Sequence, residues 1–324
     1  MALTRARKRL QGGALLDVGC GTGILSIFGA KAGARHVFAL DAVASLTELA
    51  KRIVDENGLA DSITVLNVKV EDSQLPVDRV DALVSEWMGH ALLYENMLSS
   101  VLAARDKYLR PPSTTASADD LAQWRRRRLF PCAATLFIAG FSEDVDDTAE
   151  ECDSSNGIRH WEELSDLYRV ELSGAFASAV SQEFESQVHV DVADPRSIVT
   201  TACALTTLDL ATLRADEILT QGVKGSFEVK SMGTVEVSGF VIWFSVEFPD
   251  GDVLSTSPYK TPTHWQQSLI FLSKTLSMRQ DDVLSGAVHF THPSNARRDL
   301  EISVEFMLNQ SKDTRERRTY HLAG

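Results

Sequence analysis

Two glutamates stand in the segment SEWMGHALLYENML, residues 85–98, which is otherwise largely apolar. Glu86 and Glu95 are nine residues apart. Because an unpaired carboxylate is costly to remove from water, glutamate is seldom fully buried without a partner. Two carboxylates that share a pocket are therefore expected to bind a positive group between them. An alternative for Glu95 alone is a residue at a helix N-terminus, where the helix dipole stabilises negative charge.

A glycine turn is the second feature that could do chemistry. Gly19, Gly21 and Gly23 follow the apolar run that ends at Val18. Glycine at every second position lets the backbone turn tightly and approach a ligand, and the helix that follows presents N–H groups. The dinucleotide fingerprint needs two residues before its last glycine, whereas one residue separates Gly21 from Gly23. This spacing disfavours NAD.

Acidic residues near this turn are candidate contacts of a bound adenosine. Asp17 stands before the turn and can accept hydrogen bonds from loop amides or from an amino group of a ligand. Asp41, 18 residues past Gly23, can meet ribose hydroxyls, although an aspartate at this junction is also a common helix N-cap. Val70 and Glu71 could place a carboxylate at an adenine amino group. Adenosine without a diphosphate fits this site, and S-adenosylmethionine is the commonest such cofactor.

The elements that must position these residues form a strand-and-helix alternation in the first third of the chain. This alternation is typical of a parallel sheet with helices between its strands. The predicted strands are 14–18, 36–40, 63–68 and 80–85, and the predicted helices are about 24–32, 45–56 and 96–108. The first strand then ends at the glycine turn, and the fourth strand runs into the segment with the two glutamates.

The rest of the chain has a different composition. Residues 113–129 are predicted to form a solvated loop, and the run 125–128 of four arginines is either part of that loop or a docking patch. From residue 135 onward the chain reads as all-β, with strands at 135–139, 186–192, 240–248 and 302–307. A helical interruption at 160–168 is too long for a hairpin connection and could be an arm that reaches another subunit.

Composition limits the classes of function. The net charge of -13 argues against a nucleic-acid binder and permits a basic partner. No stretch has the length and apolarity of a membrane span, so no membrane association is expected. The four cysteines are far apart and show neither metal-ligand spacing nor a disulfide framework. We therefore expect free thiols, no metal, and a cytoplasmic or nuclear location.

Four motifs in this order resemble the protein arginine methyltransferases. They are LDVGCGTGILS at 16–26, KVE at 69–71, SEWMG with YENML at 85–98, and THW at 263–265. The approach to THW and the helix after residue 98 most resemble the branch numbered six. The resemblance spans about residues 14–310. It implies an α/β Rossmann-like methyltransferase domain at 1–131, then a β-barrel domain at 132–324 with an inserted helical dimerisation arm at about 158–187, and a head-to-tail homodimer.

The resemblance also implies roles for the two glutamates. Glu86 and Glu95 would form a double-glutamate hairpin loop whose carboxylates converge on a substrate guanidinium. Arginine stays protonated and offers five N–H donors in a planar fork, so two carboxylates can bind it through paired, charge-assisted hydrogen bonds. We hypothesise that they hold positive charge toward two of its nitrogens and leave electron density on the third.

Further site residues follow from the same resemblance. His264 would orient groups or accept a proton, and Trp265 would form a pocket wall; alone, they would be interpreted as a structural histidine and a core aromatic. The other implied contacts are Met88, Tyr94 and Met97 with the substrate and Ser100 with the cofactor. Methionine at both residue 88 and residue 97 resembles the family members that make asymmetric dimethylarginine. The alternative for both methionines is ordinary core filling.

This chain departs from the family pattern in two places. Asp41 stands where glutamate is usual, so a ribose contact needs a shorter reach or a water. Family members also carry an N-terminal helical segment that folds over the cofactor. In the family, an arginine of that segment pairs the cofactor carboxylate. About 13 residues precede the first strand here, and Arg5 and Arg7 lie too close to that strand to be assigned this role.

The function expected from the sequence is methyl transfer from S-adenosylmethionine to arginine in proteins, of type I, giving mono- and asymmetric dimethylarginine. Flexible basic segments such as histone tails or Arg-Gly-rich stretches are the expected substrates. One rival is a small-molecule methyltransferase, which leaves the THW motif without explanation. The other rival is a non-catalytic dimeric binder of arginine peptides.

Overall fold

The structure, a computed structural model, describes residues 2–112, 117–143, 167–170, 186–296 and 298–323. The chain divides into two compact units. The first comprises Met1–Leu136, Thr207–Gly222 and Phe244–Ser255, and the second comprises Phe137–Thr206, Val223–Trp243 and Thr256–Gly324. The predicted single boundary at 131/132 stays a prediction. Within the described ranges, no helix has the length and apolarity to cross a membrane.

The first unit is built on a parallel sheet. Its strands are β1 (Ala14–Val18), β2 (His36–Asp41), β3 (Ile63–Asn67), β4 (Ala82–Val84) and β5 (Leu129–Phe130), in the spatial order β3-β2-β1-β4-β5. All four strand pairs are parallel. Its helices are α1 (Ala2–Arg5), α2 (Arg7–Leu10), α3 (Ile24–Lys31), α4 (Ala44–Glu56), α5 (Leu98–Tyr108) and α6 (Ala118–Arg126). The predicted alternation of strands and helices is confirmed.

The sheet lies in the core because both of its faces are covered. All five residues of β1 are buried, as expected for a parallel strand with helices on each side. The predicted strand at 80–85 is wrong in length: β4 spans only Ala82–Val84, and Val80 pairs with Leu109 through an isolated bridge. The chain leaves the sheet after Val84 and turns into the loop that carries Glu86 and Glu95.

Two short N-terminal helices, α1 and α2, were not predicted. Leu3, Ala6 and Leu10 insert into the core formed by α3 and the sheet. On the outer side, Arg5 pairs with Asp252 and Arg9 with Asp250, in the turn after residue 248. The spacing of these three residues, i, i+3 and i+7, is that of one helix face, but each helix is only four residues long and the segment is rich in arginine.

The loop predicted for residues 113–129 is wrong. Residues 118–126 form α6, which begins with a capping box: Ser117 Oγ accepts from the Asp120 amide, and Asp120 in turn accepts from Ser117. Arg126 forms a bidentate pair with Asp209, with a shortest distance of 2.6 Å, and Arg125 contacts Asp106 at 2.9 Å. The run of like charge is compatible with a helix because these side chains meet carboxylates. Residues 113–116 lie outside the described residues.

The later part of the chain is mostly β. One sheet has the order β7-β12-β10-β6-β8 with β11 on β10, and the other has the order β15-β14-β13-β9. The strands are β6 (Ala133–Phe141), β7 (His189–Asp191), β8 (Cys203–Asp209), β9 (Val223–Lys230), β10 (Val235–Glu247), β11 (Val253–Ser255), β12 (Gln267–Met278), β13 (Val283–Thr291), β14 (Leu300–Leu308) and β15 (Glu316–Leu322). A further helix, α7 (Ala215–Gln221), precedes β9, and short 3-10 turns lie at Pro195–Ser197 and Lys312–Thr314.

The four predicted β segments correspond to β6, β7, β10 and β14. The segment predicted at 186–192 is too long, since β7 covers only His189–Asp191. The helical interruption predicted at 160–168 lies mostly outside the described residues, of which Leu167 and Tyr168 are helical. Cys20, Cys132 and Cys203 are free thiols, and Cys152 lies outside the described residues.

Arg105 generates a prediction about the stability of the first unit. Its side chain is 3% exposed in α5, and its guanidinium donates to the carbonyls of Leu210 at 2.6 Å and Leu213 at 2.7 Å. Arg105→Met would leave both carbonyls without this donor. We expect a loss of about 2–4 kcal/mol in the free energy of unfolding, measured by urea denaturation.

A matched control for this variant is Arg214→Met. Arg214 forms an ion pair with Asp216 on the surface, where solvent screens the interaction. No measurable change in the unfolding midpoint is expected. An Arg105 variant as stable as the parent would contradict a role of this guanidinium in fixing residues 210–213 to α5.

Candidate active site

The glycine turn lies at the carboxyl end of β1. Gly19, Gly21 and Gly23 have φ values of +71°, +53° and +85°, which residues with a Cβ rarely adopt. The amides of Gly19 and Cys20 both donate to the Leu40 carbonyl at the end of β2, at 2.8 and 2.9 Å. The predicted tight turn is confirmed, and it is fixed to the neighbouring strand.

Asp17 is fully buried beneath this turn. Its Oδ2 accepts a hydrogen bond from Ser26 Oγ at 2.6 Å, whereas its Oδ1 has no hydrogen-bond partner. Burial raises the pKa of Asp17 to about 7, against the opposing effect of the Ser26 hydrogen bonds. A buried carboxyl group with one open oxygen is costly unless a ligand donates to it. The site therefore fits a ligand with an ammonium group.

Asp41 also holds the glycine turn in place. Its Oδ2 accepts from the Gly21 amide at 2.9 Å and its Oδ1 from the Val43 amide at 2.8 Å. The N-cap residue of α4 is Val43, so the alternative of Asp41 as the helix N-cap is wrong. Each carboxylate oxygen has a further lone pair, which leaves capacity for a ribose hydroxyl. That ribose contact stays a prediction.

The predicted adenine contacts lie on the turn after β3. Val70 is buried there, and Glu71 is exposed. Ser100 Oγ, from α5, donates to Glu71 Oε1 at 2.6 Å. Ser100 therefore contacts the predicted adenine carboxylate itself, and Glu71 Oε2 is the oxygen that could face a ligand. The contacts of these three residues with a cofactor stay predictions.

The glutamate loop follows β4 and has an unusual backbone. Ala91, Leu92, Glu95 and Asn96 have φ values of +48°, +68°, +74° and +57°. Positive φ is rare for residues with a Cβ, and such strain is concentrated at functional sites. A Cβ on Gly89 would lie 2.1 Å from the Tyr94 carbonyl oxygen, so this position accepts only glycine without a shift. The loop is thus closed tightly on itself.

The two predicted catalytic carboxylates lie on this loop. Glu86 follows β4 directly, and Ser85 Oγ fixes that end of the strand to the Val18 carbonyl at 2.7 Å. Glu86 keeps part of its surface in solvent, yet the surrounding protein desolvates its carboxyl group and raises its pKa. A backbone hydrogen bond at Met88 opposes this rise, and the negative charge of Glu95 adds to it. The charge of Glu95 thus acts on Glu86, although desolvation is the larger cause of the raised pKa.

The predicted substrate-contacting residues have different surroundings. Met97 lies against the glycine turn, because a Cβ on Gly19 would be 2.5 Å from its Cε. Met88 is buried beside a cavity of about 180 Å³ that also borders Glu86, together with Leu3, Leu25, Phe28 and Phe130. The Tyr94 ring is half-buried, with its centroid 6.2 Å from that of His90. Met97 thus links the glutamate loop to the glycine turn.

His264 and Trp265 belong to the second unit. His264 is exposed and Trp265 is buried, with their ring centroids 3.9 Å apart. The buried Gln267 fixes the end of this loop: its Nε2 donates to the Thr256 carbonyl at 2.7 Å, and its Oε1 accepts from the Ala193 amide at 2.9 Å. The predicted roles of His264 and Trp265 in an arginine pocket stay predictions.

The sequence interpretation missed Ser26, Ser85 and Gly89. Ser26 and Ser85 act through hydrogen bonds of their hydroxyl groups to Asp17 and Val18, which no spacing rule identifies. Gly89 had a signal, since a glycine inside an otherwise apolar stretch often marks a close backbone approach.

Two family models match the chain. A methyltransferase domain matches residues 15–112, and the arginine methyltransferase oligomerization subdomain matches residues 133–312. The chain belongs to the protein arginine methyltransferase family. Among its relatives, protein arginine N-methyltransferase 6 of Xenopus tropicalis is 36% identical over 310 residues, which cover 95% of this chain and 84% of that protein. Protein arginine N-methyltransferase 1 of Dictyostelium discoideum is 33% identical, with 94% and 81% covered.

Solved structures of this family have the same fold. The Trypanosoma brucei PRMT1 enzyme-prozyme heterotetrameric complex with AdoHcy is 29% identical, with a TM-score of 0.80, and the match covers 99% of this chain and 92% of that chain. Arabidopsis thaliana protein arginine methyltransferase 10 is 25% identical with a TM-score of 0.79, and 99% and 94% are covered. The predicted fold class, a Rossmann-like domain followed by the family's barrel subdomain, is confirmed.

S-adenosylmethionine is the cofactor of this methyltransferase. The open Oδ1 of Asp17 fits its ammonium group, and the amides of the glycine turn fit a close approach of the ligand. Asp41 and Glu71 each keep acceptor capacity for the nucleoside. These residues would hold a molecule that supplies an electrophilic methyl group.

Asp17 generates a prediction about cofactor binding and pH. Because burial raises its folded-state pKa from 3.8 to about 7, the ligand-free protein should lose stability as pH rises from about 4 to about 7. An ammonium group requires the ionised carboxylate. Binding of S-adenosylhomocysteine at pH 6 should therefore release about one proton from Asp17.

Calorimetry at pH 6 in two buffers of different ionisation enthalpy measures this release. Asp17→Asn should abolish the release and weaken binding, and it should flatten the stability curve between pH 4 and 7. Tight binding at pH 6 without proton release would show that Asp17 does not meet the ammonium group.

Proposed function

We propose that this chain transfers methyl groups from S-adenosylmethionine to arginine side chains in proteins, as a type I enzyme that makes mono- and asymmetric dimethylarginine. One observation carries the proposal: in a chain of this family, Glu86 and Glu95 lie on one strained loop after β4, and the charge of Glu95 contributes to the raised pKa of Glu86.

Two carboxylates suit a guanidinium by charge and by shape. Glu86 and Glu95 accept charge-assisted hydrogen bonds from its N–H groups and draw its positive charge toward two of the three nitrogens. The third nitrogen then has more electron density for attack. It forms the new N–C bond as the S–C bond of the cofactor breaks, and it then loses a proton. Orientation alone can remove roughly 7–11 kcal/mol of such a barrier.

Each remaining site residue has an assigned role in this proposal. Asp17 and the glycine turn hold the amino-acid part of the cofactor, and Asp41 holds the ribose. Val70 and Glu71 bind the adenine, and Ser100 supports Glu71 through their 2.6 Å contact. His264 is the proposed proton acceptor and Trp265 the proposed wall of the arginine pocket; both roles rest on the family resemblance.

Product type follows from the methionines that border the glutamate loop. Met97 packs on Gly19, and Met88 is buried beside a cavity of about 180 Å³ that Glu86 also borders, so we place both side chains at the border of the arginine pocket. Together with Tyr94, these side chains limit how a monomethylated guanidinium can turn. We infer that the second methyl group is added to the same nitrogen, which gives the asymmetric product.

The proposed substrates are flexible, basic protein segments, with histone tails and Arg-Gly-rich stretches as the candidates. The net charge of -13 supports attraction of such segments and opposes direct nucleic-acid binding. We place the enzyme in the cytoplasm or nucleus, without a membrane partner, on its composition and on cysteine spacing that suits a reducing compartment.

Glu86→Gln and Glu95→Gln test the proposal directly. Each removes one negative charge with little change in shape, so kcat/KM on histone-tail and Arg-Gly-rich peptides should fall by about 100-fold or more. Methyl transfer from labelled cofactor measures the rate, and mass spectrometry of the peptide identifies the product. Glu48→Gln, on the exposed side of α4, is the matched control and should retain full activity.

The outcome also separates the two rivals. Transfer to a small metabolite but to no peptide would favour a small-molecule methyltransferase. Peptide binding without transfer would favour a non-catalytic binder. Full activity of a protein carrying both substitutions would rule out binding of the guanidinium by these two carboxylates.

We further propose that the chain forms a homodimer through its helical arm. The described part of that arm carries Leu167, Tyr168 and Val170, whose exposed fractions are 70%, 65% and 52%. Several apolar side chains exposed within four residues are typical of a contact surface, whereas a single exposed one is common on any protein. The match to the oligomerization subdomain supports assembly, and the Trypanosoma brucei relative is itself part of a heterotetrameric complex.

Leu167→Glu should shift the chain from dimer to monomer in sedimentation velocity, because a buried unpaired charge opposes association. Leu219→Glu is the matched control: Leu219 is also exposed, on α7, and should leave the dimer intact. A Leu167 variant that stays dimeric at low micromolar concentration would place the interface elsewhere.

A further inference from the structure

The end of α5 is joined to the turn that carries Glu71. Tyr108 and Ser73 are both buried. The Tyr108 hydroxyl donates to the Ser73 carbonyl at 2.6 Å, and it lies 2.9 Å from Ser73 Oγ. Ser73 Oγ in turn donates to the Val70 carbonyl at 2.7 Å. The two hydroxyl groups thus close the turn at 70–73 and attach it to the last residue of the helix.

Two other residues of α5 contact the same turn. Lys107 Nζ donates to the carbonyls of Ser73 at 2.7 Å and Glu71 at 3.1 Å. Ser100 Oγ donates to Glu71 Oε1 at 2.6 Å. Lys107 and Glu71 are exposed, so solvent can replace these contacts at modest cost. Tyr108 is buried, and loss of its hydroxyl would remove the buried contacts to Ser73 and leave the exposed Lys107 as the donor from α5 to the Ser73 carbonyl.

Helix α5 also continues from the loop that carries Glu95. The helix begins at Leu98, directly after Met97. One rigid element therefore joins the glutamate loop at its start to the Glu71 turn at its end. If the 70–73 turn moves relative to α5, the distance between the carboxylates of Glu71 and Glu95 changes with it.

We propose that Tyr108 is a positioning residue for the cofactor. Its hydroxyl attaches the 70–73 turn to α5, so that Glu71 Oε2 faces the amino group of the adenine. The proposal rests on the proposed function, in which Glu71 contacts that amino group. Tyr108 acts through Ser73 and the backbone of the turn and does not touch the cofactor itself.

Tyr108→Phe removes only the hydroxyl and keeps the buried ring. The measurement is the Kd of S-adenosylhomocysteine and of S-inosylhomocysteine, which has a carbonyl in place of the adenine amino group. We expect the affinity for S-adenosylhomocysteine to fall roughly 3- to 10-fold, the value of one net hydrogen bond. Affinity for the inosine compound should change less, so that discrimination between the two ligands decreases.

The kinetic measurements distinguish a positioning role of Tyr108 from a general loss of structure. KM for S-adenosylmethionine should rise by the same factor, while kcat at saturating cofactor and KM for the peptide should not change. Ser73→Ala should act in the same direction. The double variant should be no weaker than the stronger single one, because both remove the same attachment.

Two controls fix the interpretation. Tyr320→Phe is matched, since the buried Tyr320 hydroxyl also donates to a main-chain carbonyl, that of Phe271 at 2.8 Å. It should leave discrimination intact, with all variants compared at a temperature where circular dichroism shows them folded. Glu71→Ala should abolish discrimination.

If Glu71→Ala abolishes discrimination and Tyr108→Phe leaves it unchanged, the positioning role is overturned while the adenine contact of Glu71 stands. If Glu71→Ala itself leaves discrimination unchanged, the adenine assignment in the proposed function fails, and the role of Tyr108 fails with it.

Discussion

Parallel pairing of β1 with β2 and β4 is the constraint on which the site depends. Parallel strands end at the same edge of a sheet, so the glycine turn after Val18, Asp41 and Glu86 meet there although they are far apart in sequence. The bond from Ser85 Oγ to the Val18 carbonyl fixes the last register between the two central strands. A slip of one residue in either ladder would turn Asp17 away from the ligand side.

Strain in the glutamate loop follows from that constraint. Glu86 is fixed by β4, and Glu95 must return to the same region before α5 begins at Leu98. Four non-glycine residues accept positive φ in this stretch, at a cost of about 1–3 kcal/mol each. Burial of Ala91, Leu92 and Leu93 offsets that cost, because each removes apolar surface from water. The apolar residues between the glutamates therefore anchor the loop.

How much the sequence could predict differs between elements. Strands β1 and β2 were placed within a residue because a central strand buried on both faces is a continuous apolar run. The edge strand β3 is only alternately buried, and its β-branched residues located it as closely. Helix α6 was missed, although Ser117 and Asp120 form a capping box, because composition outweighed that local signal. The glutamates and glycines of the site could be chosen by type and spacing. Their partners, such as Ser26 on Asp17, depend on tertiary geometry and could not.

The acidic residues of the site carry similar carboxyl groups, and their different surroundings give them different roles. Asp17 is buried with one open oxygen, and desolvation raises its pKa to about 7, which suits a ligand that brings its own positive charge. Asp41 is satisfied by two backbone amides and acts first as part of the scaffold. One carboxylate oxygen of Glu71 accepts a hydrogen bond from Ser100. Desolvation raises the pKa of Glu86, and the negative charge of Glu95 adds a smaller contribution in the same direction. In the proposed function, a guanidinium beside Glu86 would favour its ionised carboxylate, and the planar fork of N–H donors would match two carboxylates better than a point charge does.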